Sequence, residues 1–294
     1  MTEILAWQPI AARLAEQLAE PIRSPARLGP PRPARATWAI ETTSLGQLLV
    51  KARRGDRADE KTRWCAANLP RLAERGYPVP EILWHDFIGD DWHVVVQPRL
   101  PGKPLRSLTP PLLEALLAVI ELQRDAGIPA DGRDFAAYQA LVLFEGWDNV
   151  WRDAERASSS ATEVCGRLRR WLKPVWGHRL APTDFTNNDL NLSNILSDGE
   201  TITGVVDWDE FALNNRATDL TALAFDCERL GDSDMADQLF ARVVTIAGAE
   251  GLRCLVSYRA LAHLAALARR RERGAIDASV AHTSRALDRL EKVT

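Results

Sequence analysis

The stretch Asn187-Asn188-Asp189-Leu190-Asn191-Leu192-Ser193-Asn194-Ile195-Leu196 is followed by an apolar run, Ile202 to Val206, that ends in Asp207-Trp208-Asp209. This pair of segments constrains the chain more than any other feature. Between them lies Ser197-Asp198-Gly199-Glu200, and Asp-Gly flanked by apolar runs is the signal of a tight hairpin. With Asp198-Gly199 as a two-residue turn, Ser197 faces Glu200, Asn194 faces Thr203, and Asp207 falls level with Leu190. The fold-back then carries Asp207 to the loop that holds Asp189 and Asn194. A carboxylate, an amide five residues later and a second carboxylate at the end of the returning strand converge there, and hard oxygen donors of this kind suit Mg²⁺. Taken alone, Asp-x-x-x-x-Asn in an Asn-rich loop is equally a turn-capping pattern. The hairpin, Asp207 and the later Asp219, all in register, favour the site.

On these residues the chain resembles the catalytic loop and metal-binding segment of the aminoglycoside phosphotransferase and choline kinase group, which is built on the protein-kinase-like fold. The group's pattern reads roughly His-Gly-Asp-Leu-x-x-x-Asn, a hairpin, then Asp-Trp. The resemblance implies that Asp189 is the catalytic aspartate, accepting or orienting the substrate hydroxyl proton. It implies that Asn194 and Asp207 hold the magnesium ions that bridge the nucleotide phosphates. Arg216-Ala217-Thr218-Asp219-Leu220 matches the group's Asp-Pro-Ala-x-Asp-Leu, whose last Asp braces the catalytic loop. The match runs from about Thr37 to Leu230. Asn187 stands where the group has His, Asn188 where it has Gly, and Asn215-Arg216 where Asp-Pro is common. Asn187 is expected to replace the His as a hydrogen-bonding brace.

The fold class this implies is α+β and bilobal: a small β-rich N-lobe, residues 1–96, that binds nucleotide, and a larger, mainly helical C-lobe, residues 97–294, that carries the catalytic loop and the acceptor site. In the N-lobe, Arg35 to Ile40 and Gln47 to Ala52 read as neighbouring strands joined by a turn-forming stretch. Lys51 ends the second strand where the group has its phosphate-contacting lysine, and Glu60 is the candidate helix partner, with Asp59 as its rival. Pro25 to Pro33 stands where the group's nucleotide-covering loop lies, yet it has one glycine. Close backbone approach to phosphate favours glycine, so this stretch reads as a connector; the alternative is a loop that contacts phosphate modestly through Arg32 or Arg35. Val94 to Val96 is an apolar strand leading into a hinge, and Val96 and Gln97 are the expected adenine contacts.

From Pro110 onward the pattern is helical. Leu112, Leu113, Leu116, Leu117 and Ile120 form a broad apolar stripe. Phe135 to Arg156 continues it, with Trp147 and Trp151 one turn apart, and Ser158-Ser159-Ser160 reads as a loop. Ser233 to Gly248, Leu252 to Arg273 and Ile276 to Val293 are amphipathic.

Composition narrows the partners. Hydrophobic residues are 46%, charged residues 26% and the net charge is −3, so charge alone points neither to nucleic acid nor to an anionic membrane. Arg269-Arg270-Arg271-Glu272-Arg273 reads as a solvated helix face. Cys65, Cys165, Cys227 and Cys254 lack any Cys-x-x-Cys spacing and read as reduced thiols of a cytoplasmic protein. The N-terminal 23 residues have the apolar spacing of an amphipathic helix but carry charges that exclude a secretory core or a membrane span.

The expected cofactors are ATP or GTP and Mg²⁺. The expected partner is a small molecule bearing a hydroxyl, and the chain is expected to act as a monomer or homodimer. The resemblance favours an antibiotic-inactivating O-phosphotransferase. A kinase for a sugar or amino alcohol is the alternative, and a nucleotide-binding module without catalysis is a third. Residues 98–294 are modestly acidic, and Asp131/Asp134, Glu145/Asp148 and Asp226/Glu228 are clusters that a polycationic acceptor could use. Solvated helix faces give the same pattern.

Overall fold

The computed structural model describes residues 7–19, 21–29, 34–54, 58–89, 92–127 and 134–292. The chain divides into two compact units, Met1–Lys103 with Leu196–Asp209, and Pro104–Ile195 with Glu210–Thr294. The first unit therefore runs past residue 96 to Lys103 and takes back most of the hairpin.

The first unit is built on β1 (Arg23–Arg27), β2 (Arg35–Thr42), β3 (Gly46–Arg54), β4 (Trp84–Ile88) and β5 (Trp92–Pro98), with α1 (Trp7–Leu18) before the sheet and α2 (Ala58–Glu74) between β3 and β4. The strands pair antiparallel in the order β1-β2-β3-β5-β4. Alternation decides what is buried: Trp38 and Ile40 of β2 and Leu48, Val50 and Ala52 of β3 point into one core, as a half-buried strand requires. The amphipathic spacing of α1 delivers Ile10 and Leu14 to that core. At the β2–β3 turn the Thr42 hydroxyl accepts from Leu45 N at 3.2 Å and donates to Gly46 O at 3.0 Å, and Gly46 takes φ 68°.

Arg23–Arg27 is a strand, not a connector. It adds to the sheet edge with Ala26 opposite Ala39. Residues 30–33, Arg32 among them, lie outside the described residues, as do Asp131 and the first six residues.

The chain passes from the first unit to the second within β6 (Lys103–Pro104). Helices α3 (Pro110–Glu121), α4 (Phe135–Glu145), α5 (Val150–Glu155) and α6 (Ser159–Leu172) follow, then β7 (Asp184–Thr186). The helical pattern over 135–156 breaks at Gly146, which caps α4 at φ 70°, and Asp148 and Asn149 also take positive φ. Trp147 is exposed and Trp151 buried, so the two do not share a helix face. The serine run is a helix start: the Ser158 hydroxyl caps α6 by accepting from Ala161 N at 3.1 Å, the role in which serine is favoured.

β8 (Ile195–Ser197) and β9 (Ile202–Val205) form the hairpin. Its loop is four residues, not two. The Asp198 carboxylate accepts from Glu200 N at 3.0 Å and Thr201 N at 2.8 Å, so Glu200 lies in the loop instead of facing Ser197. Val205 N donates to Pro78 O at 2.7 Å and the Thr203 hydroxyl to Pro101 O at 2.7 Å, which ties the hairpin to the first unit. The second unit resumes with β10 (Ala212–Asn214), paired antiparallel to β7, and ends in α7 (Ala217–Leu230), α8 (Ser233–Arg270) and α9 (Arg273–Leu290). α8 is broken at Gly248. Among the described residues no helix is long and apolar enough to cross a membrane. All four cysteines are free and buried.

Candidate active site

In the first unit, alternation along β3 sends Lys51 and Arg53 to the same side, opposite Val50 and Ala52 in the core. They reach the segment that leaves β9. Arg53 Nη2 lies 3.1 Å from Asp207 Oδ1, Lys51 Nζ lies 3.9 Å from the same oxygen, and Arg53 also pairs with Asp209. Asp207 has φ 61°, an uncommon conformation for a residue with a side chain, and it follows directly on the hairpin. Burial pushes the Lys51 and Arg53 pKa values down although Asp207 opposes the shift. Burial alone would raise the Asp207 carboxyl, but Lys51, Arg53 and Arg35 hold it below the usual carboxylate range. Arg35 stands opposite Arg53 in the β2–β3 register. Three cations, Lys51, Arg53 and Arg35, thus bear on the two carboxylates of Asp207 and Asp209.

A pocket opens beside this group, walled by Lys51, Arg53, Lys61, Thr62, Cys65, Val95, Gln97 and the Asp207-Trp208-Asp209 segment. Gln97 lines it and is buried, with no hydrogen-bond partner for its Nε2 among the described residues. Val96 does not line it. Its side chain is packed in the core, and its carbonyl accepts from Leu83 N at 2.9 Å. The pocket-facing neighbour of Gln97 is Val95, two residues away on the same face of β5, which sequence reading missed for want of the register. Glu60 is exposed on α2 and is not on the pocket wall, where α2 contributes Lys61, Thr62 and Cys65. The carboxylate that bears on Lys51 is Asp207. Arg53 went unread because an arginine two places beyond a strand lysine looks like ordinary surface charge.

In the second unit, the loop after β7 is organised by Asp219 from the first turn of α7. Its carboxylate accepts from Asn187 N at 3.0 Å, Asn188 N at 2.9 Å and Gln123 Nε2 at 2.9 Å. Asp219 is fully buried, and burial raises its pKa to about 6 against those hydrogen bonds. The Asn187 side chain is buried and accepts from Asp189 N at 3.2 Å, so the amide braces the loop from within. Asn188 takes φ 60°, a left-handed conformation that glycine adopts freely and asparagine tolerates best among residues with a side chain. Its side chain donates to Glu210 O at 3.0 Å and accepts from Asn214 Nδ2 at 2.8 Å.

Asp189 itself is half-exposed, and Arg259 Nη1 from α8 lies 3.8 Å from its Oδ1. Asn194 is buried and its Nδ2 donates to Asp189 O at 3.1 Å. Leu192 N donates to Asp226 Oδ2 at 2.9 Å, a second tie from α7. Asp184 on β7 accepts from Asp125 N at 3.0 Å and Arg216 N at 2.8 Å, which anchors the strand from which the loop departs. Asp189 and Asn194 thus belong to the second unit, Lys51, Gln97 and Asp207 to the first.

Three residues of the acidic clusters are engaged in structure. Asp148 accepts from the Tyr138 hydroxyl, Asp134 caps α4, and buried Glu228 pairs with Arg285 and Arg289.

The family model described as "phosphotransferase enzyme family" matches residues 32–255. No curated protein matches the sequence. Among solved structures, a thermostable mutant of aminoglycoside phosphotransferase APH(4)-Ia, in a ternary complex with AMP-PNP and hygromycin B, superposes with a TM-score of 0.74 at 14% identity, covering 97% of this chain and 99% of that one. A putative fructosamine-3-kinase from Thermobifida fusca gives 0.60 at 18% identity, covering 94% and 98%. The GDP complex of aminoglycoside 2'-phosphotransferase-IIIa gives 0.64 at 15% identity, covering 96% and 98%. At these identities the likeness is one of fold.

Proposed function

The chain belongs to the phosphotransferase enzyme family, and on that footing we propose that it moves the γ-phosphoryl group of ATP or GTP to a hydroxyl of a small molecule, with an aminoglycoside-type antibiotic as the leading acceptor. The single observation that carries this reading is the Asp219-braced loop, which holds Asp189 and Asn194 in one hydrogen-bonded frame. A loop that served only as a turn has no need of a fully buried carboxylate beneath it.

The transition state of such a transfer is loose, so catalysis rests on positioning and charge neutralisation. Lys51 and Arg53 offer cations to phosphate oxygens. Gln97, whose amide nitrogen on the pocket wall has no partner among the described residues, supplies a donor for a base edge. Asp189 receives the acceptor hydroxyl and its proton. Asn194 spends its amide nitrogen on Asp189 O, which directs its oxygen the other way, toward a ligand. The donors suit magnesium: in the first unit the Asp207 carboxylate, with Asp209 two residues on, and in the second the Asn194 amide oxygen are hard-oxygen ligands. Magnesium, when bound, neutralises phosphate charge during transfer.

A second reading, a kinase for a neutral or anionic metabolite, is favoured by Arg259 beside Asp189 and by the commitment of the acidic clusters to structural bonds. A polycation gains little from carboxylates already paired. The test is a transfer assay with labelled ATP and GTP against aminoglycosides, sugars, amino alcohols and their acidic derivatives. Label on an aminoglycoside supports the leading reading and label on a metabolite the second. No transfer and no nucleotide hydrolysis under any condition would return the chain to a nucleotide-binding module.

A further inference from the structure

The first unit holds a second cluster of ligating groups that the phosphotransfer reading does not use. β4 is the edge strand of the sheet, and in the β4–β5 register Phe87 faces His93 while His85 faces Val95. His85 and His93 are therefore diagonal neighbours on one sheet face, the separation at which large side chains touch. Asp59, in the first turn of α2, reaches the same point. His93 Nε2 lies 3.4 Å from His85 Nδ1 and 3.4 Å from Asp59 Oδ1, and the ligating atoms of the three residues are all within 4.8 Å of one another. His93 is buried, 1% exposed.

The neighbours of His93 favour one tautomer. The Thr62 hydroxyl donates its proton to Ala58 O at 2.9 Å. Its contact with His93 Nδ1, at 3.4 Å, therefore needs the proton on Nδ1. In the neutral ring this leaves a lone pair on Nε2, aimed at a carboxylate oxygen that also has only lone pairs to offer. Arg63 compensates Asp59 from outside, through Nε to Oδ1 at 3.1 Å and Nη2 to Oδ2 at 2.6 Å, and among the described residues no donor is seen between Nε2 and Oδ1. A proton on His85 Nδ1 can serve only one of them.

A cation serves all three. Tetrahedral ligands at zinc distances of about 2.0–2.1 Å are separated by about 3.3–3.4 Å, the spacing seen at both His93 contacts. We propose that Asp59, His85 and His93 form a binding site for a zinc-class divalent cation, separate from the magnesium set at Asp207. Two imidazoles and one carboxylate select a borderline transition metal over Mg²⁺. The Thr62 contact to Nδ1 is the outer-shell bond that orients a ligating histidine. Three protein ligands leave one position for water. Thr62 also lines the pocket that holds Lys51, so an ion here pins the first turn of α2, and with it one pocket wall, to the sheet.

The test uses the full chain without a histidine tag and needs no nucleotide or acceptor, so its outcome is independent of the proposed reaction. Co²⁺ titration in excess Mg²⁺, followed by visible absorption and by calorimetry with Zn²⁺, is expected to show one bound ion. His85→Ala and Asp59→Asn, both at partly exposed positions, are expected to lower the affinity by at least about tenfold and to abolish a Zn²⁺-induced rise in melting temperature. A wild type with no saturable site, or the two variants binding as the wild type does, overturns the proposal and leaves a hydrogen-bonded cluster.

Discussion

Asp207, its side chain 38% exposed, and the fully buried Asp219 are carboxylates that their surroundings push in opposite directions, and the difference sorts their roles. Asp207 faces Lys51 and Arg53 and is held below the usual carboxylate range, so it stays ionised wherever the protein works and suits a cation. Asp207→Ala is expected to weaken Mg²⁺-dependent nucleotide binding together with turnover. Calorimetry showing unchanged nucleotide affinity would assign Asp207 to structure. Asp219 meets only neutral donors at contact distance, and burial lifts its pKa from 3.8 to about 6. The folded state therefore binds a proton that the unfolded state has already lost, so the group's contribution to stability is full below the unfolded value and declines until pH reaches the folded one. The stability difference between wild type and Asp219→Asn should accordingly shrink as pH rises from about 4 to about 6 and stay level above. Denaturant unfolding across pH 4–8 measures it, and a difference that grows over that window contradicts the assignment.

Elements were legible where periodicity and burial agree, and less so where a few atoms decide. The strand pair Arg35–Ile40 and Gln47–Ala52 and the helices from Pro110 were readable because one face of each packs into a core. The loop frame was legible through Asp189, Asn194 and Asp219. The sheet register was not: the local pattern of Val94-Val95-Val96-Gln97 is apolar on both faces, and only pairing with β3 and β4 shows that Val95 and Gln97 line the pocket while Val96 does not. The hairpin length was misread because the Asp198 side chain organises a four-residue loop, which Asp-Gly alone does not reveal. Three variants test the elements. Asn187→His should keep activity, since an imidazole nitrogen can accept from Asp189 N as the amide does. Asn187→Leu should lower both melting temperature and turnover, at a cost of about 1–3 kcal/mol for the unpaired loop groups. Activity lost at an unchanged melting temperature would move Asn187 into the chemistry. In α8, Gly248 has φ 74° and ψ 172°, a region open essentially to glycine alone. Gly248→Ala should therefore destabilise by about 1–3 kcal/mol, and a neutral result in thermal melting would show that α8 can straighten.

The candidate site residues are divided between two compact units. The first carries Lys51, Arg53, Gln97 and Asp207, and the second carries Asp189, Asn194 and their Asp219 brace. If the first set binds nucleotide and the second receives the acceptor, single substitutions should separate the two functions. Ligand binding to the folded state alone raises stability by RT ln(1 + [L]/Kd), about 2.7 kcal/mol at a hundredfold excess over Kd. Wild type and Asp189→Asn should therefore show the same rise in melting temperature with saturating Mg²⁺ and a non-hydrolysable nucleotide, while Asp207→Ala and Lys51→Ala should show little. Transfer should vanish in Asp189→Asn despite its intact nucleotide response, because the asparagine keeps the shape but cannot take the hydroxyl proton. Melting curves with and without nucleotide, run beside the transfer assay on the same preparations, decide it. An Asp189→Asn protein that loses the thermal response, or an Asp207→Ala protein that keeps both response and transfer, would break this division of labour.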